Sequence, residues 1–356
     1  MRLPARAVAA RAHMSAIITL LPSGERFETQ PGETVLEAAL RHGFNLPHSC
    51  RGGSCLSCRA RVVSGDVAYP DGPPPALSEA DRTGGYALLC QARAAADLTV
   101  ETRPVETPGN VRIRRLPCRV ERVDELAHDV IRLKLRLPGF EPFEFLPGQY
   151  VDILLAGGQR RSFSMANPPH DAGSLELHVR HIPGGAFTGR VFDRLEEKEL
   201  LRIEGPLGQF YLRDDSPRPL IMVAGGTGYA PIKSILRHLF EDEGLANSRP
   251  VQFYWGVRGL RDLYDRDSPK DWQRRQAHFS FTPVLSDPQP GDRWEGRTGL
   301  VHEAVLADHE DLRGHDVYVC GPPPMIEAAR ADFIRRGLPE DQLFFDSFEF
   351  APGHRD

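Results

Sequence analysis

At 356 residues the chain is long enough for two or three domains, each with its own core, and its 40% hydrophobic and 26% charged residues are ordinary for a folded protein. No apolar run approaches the ~20 residues needed to span a bilayer, and a formal charge of −5 excludes a general attraction to nucleic acid or an anionic membrane. Six cysteines are too few for a secreted disulfide scaffold, so a soluble, cytoplasmic protein is expected.

Residues 1–13 carry Arg2, Arg6 and Arg11 with no acid, a transit-peptide-like composition that lacks serine. They read as a disordered extension (1–14), with Met14 as the natural start. Ile17 to Leu21, a Ser23-Gly24 turn and Arg26 to Thr29 predict a β-hairpin. Thr34 and Glu37 form a capping box before Val35, Leu36, Ala39 and Leu40, and Gly43 ends that helix. Tyr69 to Ala76, rich in Pro and Gly, reads as a surface loop, with Pro73-Pro74-Pro75 as a stiff segment rather than a polyproline ligand. Leu98 to Glu101 closes a small β-grasp-like domain over residues 15–103, and residues 104–112, with Thr107-Pro108-Gly109-Asn110, form a linker.

Period-two alternation follows. Ile131, Leu133, Leu135 and Leu137 alternate with Arg132, Lys134 and Arg136; Leu175, Leu177 and Val179 alternate with Glu176, His178 and Arg180. Gly- and Pro-rich turns between such strands predict an antiparallel barrel over residues 113–214, with Cys118 in its core. The pattern changes at Pro219. Leu220 to Ala224 is continuously apolar, as in a strand buried on both faces of a parallel sheet. Ile232, Ile235, Leu236 and Leu239 then follow helical spacing, and Val251 to Trp255 and Val317 to Val319 repeat the buried-strand pattern. Residues 215–350 are therefore expected to form a doubly wound α/β domain, with a tail at 351–356.

Four cysteines carry the sharpest chemistry. Cys50, Cys55, Cys58 and Cys90 are separated by four, two and thirty-one residues, the plant-type spacing for a [2Fe–2S] cluster. Gly52 and Gly53 let the loop curl so that amides point at sulfur. A structural zinc site also takes four cysteines, but usually as two CxxC pairs, which Cys50 and Cys55 do not form. Arg51, Arg59 and Arg61 flank the ligands, so the cluster face is expected to be either basic, docking an acidic partner, or merely solvated.

In the barrel segment, Arg161-Ser162-Phe163-Ser164, Gly184 to Thr188 and Gly205-Pro206-Leu207-Gly208 together suggest a flavin site, although the first alone could be surface decoration. Arg161 suits a pyrophosphate and Phe163 could stack on a ring, while Thr188 and nearby amides would meet phosphates at a helix N-terminus. Gly225-Gly226-Thr227-Gly228-Tyr229-Ala230-Pro231 lies between a buried strand and a helix, where open α/β sheets bind pyrophosphate; taken alone it could be a tight turn. Its partner, Cys320-Gly321-Pro322-Pro323-Pro324-Met325, ends another buried strand. Arg258 and Arg261 favour a 2′-phosphate, whereas Asp262 beside them favours a free ribose. The histidines show no metal-ligand spacing.

From Met14 onward these residues resemble the ferredoxin–NADP reductase-like iron–sulfur flavoproteins. The domain order is similar to that of phenol hydroxylase and methane monooxygenase reductases. Arg161 to Pro169, Leu175 to Thr188, Ile203 to Gly208 and Trp255 to Tyr264 most resemble CDP-6-deoxy-Δ-3,4-glucoseen reductases. The resemblance implies that Arg161, Phe163 and Ser164 match the flavin motif RxYS, with Phe163 replacing tyrosine and Ser164 near flavin N5. It places His178, Val179 and Arg180 along the isoalloxazine and phosphate path, and Gly185, Phe187 and Thr188 at the FAD pyrophosphate. It assigns NAD(P)H to Gly225, Gly226, Thr227, Gly228, Pro231, Cys320, Gly321, Pro322 and Met325, with Cys320 beside the nicotinamide. Phe348 would be the aromatic covering the flavin, although Phe344, Phe345 and Phe350 are near. The implied activity is electron transfer from NADH, favoured over NADPH, through FAD and the [2Fe–2S] cluster to a partner, either a dehydratase or an oxygenase component. A redox-sensing flavoprotein without turnover and a zinc-stapled binding protein are the rival readings.

Overall fold

The computed structural model describes residues 15–48, 51–53, 56–102, 111–139, 142–171, 173–241 and 249–348. The expected N-terminal extension, the Thr107–Asn110 linker and the 351–356 tail lie outside them. The chain divides into two compact units, one reaching Ile113 and one spanning Arg114–Phe348.

The first unit is a five-stranded β-grasp sheet. Strands β1 (Ile17–Leu21) and β2 (Arg26–Glu28) form the predicted hairpin. Helix α1 (Val35–Arg41) follows, then β3 (Arg59–Ser64), β4 (Val67–Ala68), the short α2 (Glu79–Thr83), β5 (Tyr86–Leu88), β6 (Arg93–Ala94) and β7 (Leu98–Glu101). The strand order is β2-β1-β7-β3-β5, with β1 and β7 parallel and the other pairs antiparallel. Thr34 Oγ1 accepts from the Glu37 amide at 3.2 Å, and Glu37 Oε2 accepts from the Thr34 amide at 2.9 Å, so the capping box forms as read. Val35, Leu36, Ala38, Ala39 and Leu40 are all buried. The first-turn amides of α1 do not go to water: Val35 donates to Ala92 O and Leu36 to Leu89 O. The helix thereby clamps the segment that carries Cys90. Replacing Thr34 by alanine is expected to cost about 1 kcal/mol of stability, read as a lowered denaturant midpoint. An unchanged midpoint would mean that the cap does not hold this clamp.

The second unit opens with a six-stranded antiparallel barrel. Its strands are β8 (Arg114–Ala127), β9 (Val130–Arg136), β10 (Tyr150–Leu154), β11 (Arg160–Ser164), β12 (Ser174–Arg180) and β13 (Leu200–Leu207), in the order β11-β10-β13-β8-β9-β12. A bridge between Met165 and Leu177 joins the two ends. The alternation read in the sequence holds on β9, where Ile131, Leu133 and Leu135 face the core. On β12 it does not give a wet face: Glu176 and His178 are buried along with Leu175, Leu177 and Val179. Helix α3 (Ala186–Asp193) buries Phe187 and Val191 against the same core. Cys118 lies inside as expected, and burial pushes its thiol up to about 12.

The α/β part carries six parallel strands: β14 (Leu220–Gly225), β15 (Val251–Val257), β16 (Phe279–Leu285), β17 (Arg297–Thr298), β18 (Asp316–Gly321) and β19 (Leu343–Ser347), in the order β17-β16-β15-β14-β18-β19. Helices α4 (Tyr229–Glu241), α5 (Asp267–Arg275), α6 (Val301–Asp308) and α7 (Pro323–Arg335) connect them. All six residues of β14 are buried, as its apolar run requires, with one hydrophobic cluster on each face of the sheet. The strand order reverses between β14 and β18. That reversal is the switch point at which such sheets bind ligands, at the carboxyl ends of the strands. Among the described residues no helix is long and apolar enough to cross a membrane.

Candidate functional site

Cys58 and Cys90 come together in the first unit. Leu89, the neighbour of Cys90, donates its amide to Cys58 O at 3.1 Å, and both cysteines are buried. Near them, the Tyr69 hydroxyl accepts the Leu88 amide at 3.1 Å. Burial first, and these sulfurs as well, push Tyr69 up to about 12, so it stays a neutral phenol. Cys50 and Cys55 lie outside the described residues. Around them the described residues Arg51, Gly53 and Leu56 have left-handed backbone. At Gly53 (φ +84°) a Cβ would sit 2.8 Å from Pro74, so only glycine fits beneath the stiff proline segment. Gln91 Nε2 donates to Arg51 O at 2.6 Å and ties the loop to the turn that carries Cys90. Two buried thiols on adjacent backbone beside a tightly curled loop fit the plant-type cluster.

The expected basic face is not bare. Arg59 is ion-paired to Asp81 and lies over the Tyr86 ring at 4.4 Å, and Arg61 is 3.9 Å from Glu101. Each flanking charge on β3 has a counter-charge, so a uniformly basic docking surface does not follow from these arginines.

In the second unit the flavin-type residues lie on β11, β12 and α3. Arg161, Phe163 and Ser164 sit on β11, and Arg161 Nη1 donates to Arg160 O at 2.7 Å. The half-buried Phe163 ring packs tilted on Phe187 with centroids 5.5 Å apart. Phe187 itself is core, so what it offers a phosphate is its backbone N–H alone. Gly185 caps α3 without a side-chain hydrogen bond, and the first-turn amides point out of the helix beside Thr188. That is an anion cradle of the kind a pyrophosphate fills. On β12, Val179 faces the barrel core and the His178 side chain is fully buried, which leaves the Arg180 guanidinium on the surface. It pairs with Asp129 at 2.7 Å, and its Nη1 lies 3.2 Å from where a Cβ on Gly226 would stand.

The nucleotide-type loops meet as read. Gly225 to Gly228 leaves the end of β14, Gly321 and Pro322 leave the end of β18, and Ala224 is register partner to Cys320. A Cβ built at Gly228 would stand 2.0 Å from Cys320 O, so the two loops touch backbone to backbone. The Met325 side chain lies against Gly225 and Gly321, Thr227 is half-buried, and Pro231 is buried in the first turn of α4. Burial holds the Cys320 thiol well above its usual range, which makes it a neutral neighbour rather than a nucleophile. Phe348 donates its amide to Gly321 O at 3.0 Å, just past β19, whereas Phe344 and Phe345 pack onto the two faces of the sheet. Phe350 lies outside the described residues.

One group was missed in the sequence. Glu176 Oε1 accepts from Lys233 Nζ at 3.1 Å and lies 2.9 Å from His178 Nε2; Lys233 also reaches Asp265 at 2.9 Å. His178 Nδ1 lies 3.0 Å from the Tyr264 hydroxyl, and Tyr229 donates to Asp265 at 3.2 Å. Burial would raise the Glu176 carboxyl, but the His178 hydrogen bond and the Lys233 charge outweigh it and hold it well below the usual range. Burial lowers the His178 imidazole, so the ring is neutral and Nε2–H donates to Glu176. The signal was available as a lysine inside an apolar helical stripe and an acid on a barrel strand, each harmless alone.

Comparisons with known proteins bear on all three parts. Residues 18–95 match the 2Fe-2S iron-sulfur cluster binding domain, 117–211 the oxidoreductase FAD-binding domain and 222–331 the oxidoreductase NAD-binding domain. The chain is 37% identical over 335 residues to the CDP-6-deoxy-L-threo-D-glycero-4-hexulose-3-dehydrase reductase of Yersinia pestis, covering 94% of this chain and 99% of that one. It is 35% identical over 340 residues to the reductase component of propane 2-monooxygenase from Rhodococcus jostii, covering 93% and 90%. Among solved structures, a cytochrome P450 reductase of Amycolatopsis superposes with a TM-score of 0.79 at 37% identity, covering 94% and 98%. Likeness of this extent, over parts whose geometry suits a cluster, a flavin and a nucleotide, settles the family: the chain belongs to the iron–sulfur flavoprotein reductases, NAD(P)H-dependent oxidoreductases of the ferredoxin–NADP reductase type.

Proposed function

We propose that the protein is a cytoplasmic reductase that draws on NADH in preference to NADPH and delivers single electrons to a sugar dehydrase. FAD when bound accepts a hydride at N5 and releases its electrons one at a time, which a [2Fe–2S] cluster then relays. The chain's own residues bind and orient. Arg161, Arg180 and the α3 amides around Gly185 and Thr188 receive the flavin phosphates, with Phe163 and Ser164 beside its ring and Phe348 covering it. The loops Gly225–Pro231 and Cys320–Met325 receive the nucleotide, and Cys50, Cys55, Cys58 and Cys90 hold the cluster. The proposed domains are residues 15–103 for the cluster, 113–214 for FAD and 215–350 for the nucleotide.

The NADH preference is supported by the rim at the ends of β15 and β16. Arg258 there is paired with Asp287 at 3.2 Å, and Asp262 accepts the Gly259 amide at 2.8 Å. A 2′-phosphate would meet two carboxylates, Asp262 and Asp287, and two arginines, Arg261 and Arg258, that each already face one of them at 3.9 and 3.2 Å. Like charges so placed cost several kcal/mol, so kcat/KM is expected to favour NADH by about 100-fold. Equal values for the two nucleotides would overturn this part.

The dehydrase partner rests on one observation, the 37% identity to the Yersinia protein across 94% of this chain. The second reading, an oxygenase component, is favoured by the propane monooxygenase and cytochrome P450 reductase likenesses. The deciding experiment supplies NADH and either a purified CDP-6-deoxy-L-threo-D-glycero-4-hexulose-3-dehydrase or an oxygenase component, and measures NADH oxidation coupled to each. Coupling to the dehydrase alone supports the first reading; coupling to the oxygenase alone replaces it with the second.

A further inference from the structure

Helix α4 touches both segments that carry the chemistry. It begins at Tyr229, directly after the glycine loop. Its Ser234 hydroxyl donates to Asn167 O at 2.7 Å, and Asn167 follows Ser164 by three residues on the barrel side. Asn167 is itself fixed, with its Nδ2 donating to Asp171 O and Ser174 O and its Oδ1 accepting the Glu176 amide. One residue before Ser234, Lys233 reaches Glu176 of β12 and Asp265 of the α/β part.

The pairing continues to the glycine loop. Tyr229, whose hydroxyl donates to Asp265, stacks on Trp255 with centroids 4.2 Å apart, and Trp255 Nε1 donates to Gly226 O at 2.9 Å. Tyr264 stands edge-on to both Trp255 and His178. Glu176, His178 and Arg180 share one face of β12 by their period-two spacing, and Arg180 Nη1 lies 3.2 Å from where a Cβ on Gly226 would stand. Five contacts knit the group: Tyr264 to His178, His178 and Lys233 to Glu176, Lys233 and Tyr229 to Asp265. A buried polar group wired in this way favours one arrangement of the parts it joins.

We propose that the Glu176–Lys233–Asp265 triad, with His178 and Tyr264, is a positioning device that holds the barrel segment around Ser164 in register with the glycine loop and so sets the donor against the flavin. None of these side chains acts on the reacting atoms; they act through Asn167, Arg180, Trp255 and the loop backbone. The proposal rests on the reduction of flavin by the nucleotide, which bleaching of the wild-type flavin by NADH tests separately.

Lys233→Met removes the shared cation and leaves Glu176 and Asp265 without a counter-charge. The rate constant for anaerobic flavin bleaching at saturating NADH is expected to fall about 10- to 100-fold per bound flavin, with the half-saturating NADH concentration little changed. In the nucleotide-free protein, amide hydrogen exchange at residues 226–230 is expected to quicken about tenfold. The double variant Glu176→Gln/Lys233→Met removes one stranded carboxylate and is expected to recover part of the lost rate. Tyr264→Phe deletes only the hydroxyl facing His178 and should slow bleaching about fivefold; where Lys233→Met does not fold, this variant decides. Wild-type bleaching and unaltered loop exchange in the folded variants, even with lowered melting temperatures, would overturn the proposal and leave the group a stability element only.

Discussion

Cys90→Ala is expected to abolish electron delivery to cytochrome c while flavin bleaching by NADH proceeds at the wild-type rate. Cys90 is buried in a segment held from three directions: the Leu36 amide on Leu89 O, the Val35 amide on Ala92 O, and the Leu89 amide on Cys58 O. The backbone therefore stays when the thiol is removed, and the loss is one of ligation rather than folding. Changes to groups merely bonded to metal ligands cost roughly 10–100-fold, so deleting a ligand should lower cytochrome c reduction by at least about 100-fold. Iron content should fall with it. A variant that keeps its iron and its cytochrome c rate would sink the assignment of Cys90. Stoichiometric zinc in the wild-type protein would replace the cluster with a structural site.

What was legible in the sequence is what short-range chemistry dictates. The Thr34–Glu37 box, the alternating Ile131, Leu133 and Leu135, and the unbroken apolar run Leu220–Ala224 each obey a local rule, and each appears in the structure as read. The two glycine-bearing loops were legible as a pair because a parallel sheet brings the carboxyl ends of neighbouring strands to the same edge.

The group that escaped notice depends on the meeting of distant segments. Glu176 alternates with aliphatic residues as a solvent-facing position does, and the resemblance sets His178 along the flavin path, yet α4 covers both, and Lys233 supplies the charge that makes such burial tolerable. Periodicity reports which residues share a face, not what lies against it. Tyr69 was hidden for a similar reason. Its Pro- and Gly-rich surroundings read as a surface loop, but its hydroxyl turns inward to the Leu88 amide beside the cysteines. Arg59 and Arg61 left two readings open along the chain, a basic face or solvated charges; Asp81 and Glu101, more than twenty residues away in each case, sit opposite them.

The second large effect is expected from a single methyl group. In Gly228→Ala the new Cβ would lie 2.0 Å from Cys320 O and 2.6 Å from the Cys320 carbonyl carbon, both main-chain atoms that no rotamer change can move. Relief requires the loops after β14 and β18 to separate, at the switch point where the sheet offers its binding crevice. Displacements of about 1 Å at a reacting pair can cost roughly 100-fold in rate, so NADH-driven bleaching should slow by that order and weaker nucleotide binding should accompany it. Overpacking of this kind also costs about 1–3 kcal/mol of stability. Gly226→Ala is the informative contrast, since its Cβ would meet only the far end of the Arg180 side chain, at 3.2 Å. That chain can swing aside, which leaves the strain of a left-handed alanine at φ +54° as the main cost. Flavin content is expected to be normal in Gly228→Ala, because its new Cβ meets only the Cys320–Gly321 backbone and neither β11 nor Arg180. Bleaching of Gly228→Ala at the wild-type rate would mean that the two loops do not form the nucleotide site together, and that the donor approaches the flavin by another face.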